Sequence, residues 1–168
     1  QTLALQTGYG GNGDRESIIF NSAIPDGSGG NPLSLTVACQ SQSGAADYVS
    51  LNGGGNFTGP ISLSIVNAGT TGYLVIGGTR TRFGNTVGTG KLGGGNYAGN
   101  ISLGTITILE YDSSSAQTLA GVISGAGALQ VTVTSPDGTL NPVLGIWQLN
   151  QAQDNIVQVM NATGASPN

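Results

Sequence analysis

The chain has 168 residues, with four Lys or Arg, eight Asp or Glu and no His, for a net charge of −4; thirty residues are Gly and 38% are hydrophobic. The length fits one domain with its own core, but charged residues make up 7% of it, against a usual value of about 25%. So few basic groups give no electrostatic footprint for nucleic acid, no apolar run approaches the roughly 20 residues of a membrane-spanning helix, and the absence of His removes the Ser-His-Asp and Cys-His constellations and the commonest transition-metal ligand.

The chain opens on "QTLALQT" (1–7), a strand pattern carrying Leu3 and Leu5. A start at Gln1 suits a mature chain freed of a secretion signal, or an excised fragment. In "YGGNGDRES" (9–17) a calcium-type Gly-Gly-x-Gly-x-Asp phrase is approached, but Asp14 comes one residue early and the unit does not repeat. Such calcium sites need stacked repeats to complete each coordination shell. The expectation here is a turn with an Asp14/Arg15/Glu16 surface cluster, and no metal or cofactor is expected. After the turn signal "PDGSGGN" (25–31) comes "LSLTVAC" (33–39), whose Leu33, Leu35, Val37 and Cys39 share one phase. Cys39 cannot form an internal disulfide and reads as a small buried apolar side chain; pairing with Cys39 of another chain is the alternative.

"GGGNFTGPISL" (53–63) returns at 93–103 as "GGGNYAGNISL", identical at eight of eleven positions with an offset of 40 residues. Strand signals follow each phrase and recur to the end: "ISLSIV" (61–66), "YLVI" (73–76), "ISLGTITIL" (101–109), "LQVTVT" (129–134), "IWQL" (146–149) and "NIVQVM" (155–160). Their alternation places Ile61, Leu63, Ile101, Leu103, Leu129 and Val131 inward. In "ISLGTITIL" the phase slips at Gly104-Thr105, and a bulge or corner there would return Ile106 and Ile108 to the interior of Ile101 and Leu103. The segment "GGTRTRFGNTVGTGK" (77–91) lacks the glycine spacing of a phosphate loop, and Leu92 stands where that loop needs Ser or Thr. It reads as a long polar turn.

Short strands, Gly/Asn/Asp/Ser corners and a repeated phrase favour an all-β coil. A right-handed parallel β-helix, a β-solenoid over 1–168, is the expected fold, with an antiparallel β-sandwich as the alternative. Rungs of roughly 20–25 residues would make the 40-residue offset two rungs, with the two "GGGN" phrases at equivalent corners. Low charge suits this fold, because equivalent residues stack about 4.8 Å apart and like charges at that spacing repel. Asn56 and Asn96 are natural ladder or turn residues.

"YDSSSAQTLAGVISGAGALQVT" (111–132) followed by "GTLNPVLGIWQL" (138–149) resembles the autotransporter-associated β-strand repeat of bacterial passenger regions. Gly121-Val122-Ile123-Ser124-Gly125, Gly127 and Leu129 match its core. Asn56, Phe57 and Gly59, and Asn96, Tyr97 and Gly99, match its Asn-aromatic-x-Gly phrase. The likeness covers about 51–150, departs after Gly138-Thr139-Leu140, and lacks a C-terminal membrane barrel. It implies a parallel β-helix exported across an outer membrane, secreted or on a bacterial cell surface, and no particular activity.

Glu110 and Asp112 in "LEYD" share a strand face and could supply the acid and base of glycoside hydrolysis. The plainer reading is an exposed strand end running into "DSSS", and no enzyme is expected. Asn56, Asn100 and Asn161 head formal glycosylation sequons that read as incidental. Tyr9, Tyr48, Tyr73, Tyr97, Tyr111 and Trp147 could stack on sugars, but most read as core or ladder residues.

Two functions are therefore weighed. One is an extracellular structural protein that joins head to tail with itself into a surface fibre or matrix filament, through Leu3 and Leu5 at one end and Ile156, Val157 and Val159 at the other. Neither end looks capped. The alternative is the stalk of a bacterial adhesin that binds surface glycans, which a cluster of exposed aromatics would favour.

Overall fold

The computed structural model describes residues 1–8, 16–40, 45–66, 71–81, 83–131 and, for the backbone, 146–148. Fifteen strands occur among them: β1 (Thr2–Gln6), β2 (Ser17–Phe20), β3 (Ser34–Cys39), β4 (Asp47–Leu51), β5 (Ile61–Ile65), β6 (Gly72–Ile76), β7 (Gly78–Thr81), β8 (Gly84–Val87), β9 (Asn96–Tyr97), β10 (Ile101–Leu103), β11 (Thr107–Tyr111), β12 (Thr118–Leu119), β13 (Ile123–Gly125), β14 (Ala128–Val131) and β15 (Ile146–Gln148). The fold is all-β, and its main sheets are parallel.

The chain passes back and forth between two sheets, adding one strand to each on every pass. The first sheet has the order β1-β3-β5-β10-β13 and is parallel throughout. The second has the order β2-β4-β6-β11-β14, also parallel, with β15 laid antiparallel on β14. An antiparallel sandwich is thereby set aside. A third side is formed by the bridges Ile24–Gly55–Leu92 and by the pair β9–β12.

Register places like residues in columns. Leu3, Leu35, Ile61, Ile101 and Ile123 pair in succession across the first sheet. Val49, Leu74, Leu109 and Leu129 do the same across the second. Both columns point into one core, where Leu35, Val37 and Cys39 are almost fully buried, as the alternation in 33–39 requires. Ile61, Leu63, Ile101 and Leu103 are buried as expected. Leu129 packs half-buried on the core and Val131 is half-buried beside it. The outer face of the first sheet carries Thr36, Ser62, Ser102 and Ser124 in one column. Hydroxyls tolerate such stacking where like charges would not.

Three sequence expectations need correction. Ile61 pairs directly with Ile101, so the 40-residue offset spans one pass rather than two. Successive partners down that column lie 32, 26, 40 and 22 residues apart, and the long pass is long because it contains the β7–β8 hairpin. The two "GGGN" phrases also stack in register only from their aromatic residues onward. Gly55 bridges to Leu92 rather than Gly95, because Gly93–Gly95 wind into a 3-10 turn with Gly94 at φ 65°, a conformation glycine adopts without a side-chain clash. Finally, the corner at Gly104–Ile106 does not turn Ile106 and Ile108 inward. It takes three residues, with Ile106 itself at φ 60° and 44% exposed. Thr107, Leu109 and the half-buried Tyr111 are the residues of β11 that face the core.

The aromatic phrase has a packing role. Phe57 and Tyr97 meet edge to face at 5.9 Å in the interior, and the Tyr97 hydroxyl donates to the Gly59 carbonyl. Gly59, Gly99 and Gly121 lie in neighbouring passes beside that contact. A Cβ on Gly121 would stand 2.1 Å from the Gly99 carbonyl oxygen. The repeated glycine is where adjacent backbones close up.

Candidate functional site

Among the polar clusters of the described structure two lie beside the β7–β8 hairpin, and an open apolar edge forms a third feature. The first polar cluster lies on the outer face of the second sheet. There the column Tyr48, Tyr73, Ile108 runs beside the column Ser50, Val75, Glu110, Gln130. The segment 77–91, expected as a polar turn, contains the antiparallel hairpin β7–β8, which folds down over β4 and β6. Thr79 pairs with Thr86 and Arg80 with Asn85, polar strands whose burial does not alternate and which therefore carried no strand signal in sequence.

Arg80 enters the cluster from this hairpin. Its guanidinium lies 4.2 Å from the Tyr73 ring centroid and 5.7 Å from that of Tyr48, a cation–π arrangement. It forms an ion pair with Glu110 at 2.5 Å, and its backbone N–H donates to the Ser50 hydroxyl at 3.1 Å. Gln130 approaches the other Glu110 oxygen at 3.5 Å. Glu110 and Asp112 do not form the exposed strand end that "LEYD" suggested: both are 0% exposed. Register explains it, since the hairpin covers the place where that face would meet water.

Asp112 differs from Glu110 in having no side-chain hydrogen bond among the described residues. Its backbone is held, the N–H donating to the Ile76 carbonyl at 2.9 Å and the carbonyl accepting from Gly88 at 3.3 Å. Among the described residues neither carboxyl oxygen has a hydrogen bond. Burial, and next the negative charge of Glu110, push this carboxyl from 3.8 up to about 6, against a smaller opposing pull from Arg80.

The second polar place is a shallow groove of about 610 Å³ between the corners and the foot of the hairpin. Asn21, Asn52, Asn56, Thr86, Thr89 and Lys91 are among its lining residues. The Asn52 amide donates to Asn21 at 3.1 Å, joining two successive passes. Hydrogen-bonding groups of this kind suit a polar ligand such as a sugar, but among the described residues the groove has no aromatic wall.

The open edge belongs to β1 and β2. Each pairs with one neighbour, β3 and β4 respectively, and among the described residues has no strand on its other side. Leu3 and Leu5 lie on β1, pointing toward the core but only half-buried, with Ile18 and Phe20 of β2 in the same condition. The residues expected to meet them, Ile156, Val157 and Val159, lie outside the described residues, as do Asp14, Arg15, Tyr9 and Asn161. β15 does fall within them; the strand expected at 146–149 is present as Ile146–Gln148, but it lies antiparallel on β14 at the far end of the second sheet, a direction the sequence did not suggest.

Cys39 is 1% exposed, and burial pushes its thiol up to about 12. That fits the reading of Cys39 as a small apolar side chain. No protein-family model, curated protein or solved structure matches the chain.

Proposed function

We propose that the chain is a right-handed parallel β-helix of the autotransporter-passenger kind, working outside the cell as a structural element that extends by end-to-end association with further copies. The observation that carries this reading is the state of its first pass. Leu3, Leu5, Ile18 and Phe20 are half-buried, while their counterparts one pass deeper, Leu35, Val37, Val49 and Leu51, are at most 1% exposed. A parallel sheet edge presents unpaired N–H and C=O groups that another strand can satisfy. A second copy would supply those partners and complete the burial of the four side chains. Each hydrogen bond contributes only about 1 kcal/mol net, so the apolar burial, at about 25 cal/mol per Å², carries most of the affinity. No catalytic chemistry enters this role.

The adhesin reading calls for exposed aromatic platforms. Among the described residues Phe83 alone is an aromatic lying mostly in solvent, at 88% exposure, on the hairpin tip. Tyr48, Phe57 and Tyr97 are buried. This distribution favours the structural role over glycan capture.

Light scattering across a concentration series, with electron microscopy of the same samples, tests the proposal. The wild type should form rods that lengthen with concentration, with little dependence on salt, because few charges lie at the junction. Leu5→Lys and Val157→Lys should both block growth by placing an unpaired charge in a dry sheet contact. If wild type and both variants remain monomeric at high concentration, the association claim fails.

A further inference from the structure

We propose that the β7–β8 hairpin is a proton-latched strap, held against the second sheet while the Asp112 carboxyl keeps its proton and loosened when that proton is lost. The inference stands apart from end-to-end assembly and concerns a different face of the molecule.

The argument begins with charge under the hairpin. Two carboxyl groups, Glu110 and Asp112, are fully buried there, and the described cation that reaches them, Arg80, bonds to Glu110. Asp112 is left with both oxygens unpartnered among the described residues. A buried carboxylate without hydrogen bonds or a counter-charge is costly, whereas the neutral acid is far less so.

Geometry ties the backbone and Cβ of Asp112 to the hairpin. A Cβ on Gly78, the first residue of β7, would lie 3.1 Å from the Asp112 Cβ, and Gly88, just beyond β8, donates its N–H to the Asp112 carbonyl. The hairpin therefore touches Asp112 at both of its feet. Lifting it would admit water to the carboxyl, and water stabilises the ionised form. Ionisation thus favours the lifted state.

Among the described residues, the titratable groups on each packed element are few. On Asp112's own side, Glu110 raises its affinity for a proton; on β7, Arg80 lowers it. Tyr73 of β6 and Tyr48 of β4 lie beneath Arg80, and burial raises the Tyr73 hydroxyl further from the relevant range. β8 carries no titratable side chain.

The sign follows from linkage. The closed-state value, about 6, lies above the ordinary 3.8, so the latch is fully engaged below pH 3.8 and weakens as pH rises through 6. When lifted, the strap would bare Tyr48, Tyr73, Ser50 and Glu110, so the outer face of the second sheet would be covered in acid and accessible at neutral pH.

Amide hydrogen exchange on the whole chain reads this directly, expressed as protection factors so that intrinsic pH effects cancel. The Arg80 amide, bonded to Ser50, and the Gly88 amide, bonded to Asp112, report strap closure. In the wild type their protection should fall roughly 100-fold between pH 3 and pH 8, most of it between pH 4 and 6. In Asp112→Asn, which keeps the shape and removes the ionisation, protection should be flat with pH. Carbon-detected titration of the wild-type Asp112 carboxyl should give a midpoint well above 3.8. A flat wild-type profile, an unchanged pH dependence in Asp112→Asn, or an ordinary Asp112 midpoint overturns the proposal.

Discussion

Replacing Ile101 by Ala, and separately Leu3 by Ala, tests whether the core is one continuous stack. Both residues occupy the same column of the first sheet, Leu3–Leu35–Ile61–Ile101–Ile123. Ile101 is 1% exposed between Ile61 and Ile123, themselves 1% and 4% exposed. Ile→Ala removes three carbon groups, a transfer loss of about 2.5 kcal/mol at roughly 0.8 per group. The neighbours are held by the parallel ladder and cannot collapse into the space, so a cavity term brings the expected cost to about 4 kcal/mol. Leu3 is half-buried on an edge strand, so it should lose about half the transfer term and leave no closed cavity, a cost of about 1 kcal/mol. Urea unfolding of dilute wild type and both variants, at unchanged m-value, measures the pair. With total stability of about 5–15 kcal/mol, the Ile101 variant should show a large midpoint shift and the Leu3 variant a small one. Equal costs in dilute solution, or the reverse order, would refute the stack. A Leu3 cost that grows with protein concentration would instead register the association proposed above.

Gly121→Ala should lower stability by about 3 kcal/mol, because its new Cβ would meet the backbone of Gly99 at 2.1 Å and backbone cannot swing aside; a melting temperature within a degree of wild type would contradict this. Cys39 should resist alkylation at pH 8 in the native protein and react at once in denaturant, since its thiol is buried and pushed up to about 12; mass spectrometry after timed iodoacetamide treatment checks it, and rapid native labelling would refute the packing. Ile106→Gly should stabilise the protein by about 1 kcal/mol, the left-handed penalty removed less the added entropy of glycine, because Ile106 sits at φ 60° and is 44% exposed; thermal melts decide, and a fall in melting temperature would place the strain elsewhere.

Much of the fold was legible because period two survives in the core strands. Leu35, Val37 and Cys39, or Ile61 and Leu63, show their inward face by alternation alone. The repeated phrase announced stacked equivalents but not their spacing: it was read as two rungs apart, whereas Ile61 pairs with Ile101 and Phe57 meets Tyr97 directly in adjacent passes. Pass length was not legible, because parallel sheets joined through corner segments accept insertions there and the β7–β8 hairpin buries no core face of its own. Its Thr, Arg and Asn residues therefore looked like a turn, since neither β7 nor β8 alternates in burial. The phase of β11 was misread for a related reason. Ile106 resembles a core residue in sequence but spends itself on the corner, leaving Thr107 and Leu109 to face inward. Burial of Asp112 could not be read at all, since it depends on a hairpin that returns from more than twenty residues upstream to cover it.

The arrangement of the far end decides what kind of assembly the open edge can make. A copy added head to tail would place its β1 on β13 and its β2 at the end of the second sheet. That second position is held by β15, which runs antiparallel to β14, so a parallel ladder cannot continue across both sheets while β15 stays there. Head-to-tail growth therefore requires β15 to give way, and such contacts, being heterologous, lengthen without limit. Two copies could instead meet edge to edge through their first passes, β1 against β1 in antiparallel sense, with no change at the far end. That contact is isologous and closes at two. Both arrangements bury Leu3 and Leu5, and both are broken by Leu5→Lys, but Val157 lies at the other end of the sequence and contributes only to the first. A species that stops at twice the monomer mass and tolerates Val157→Lys would thus mean that the edge serves pairing rather than filament growth.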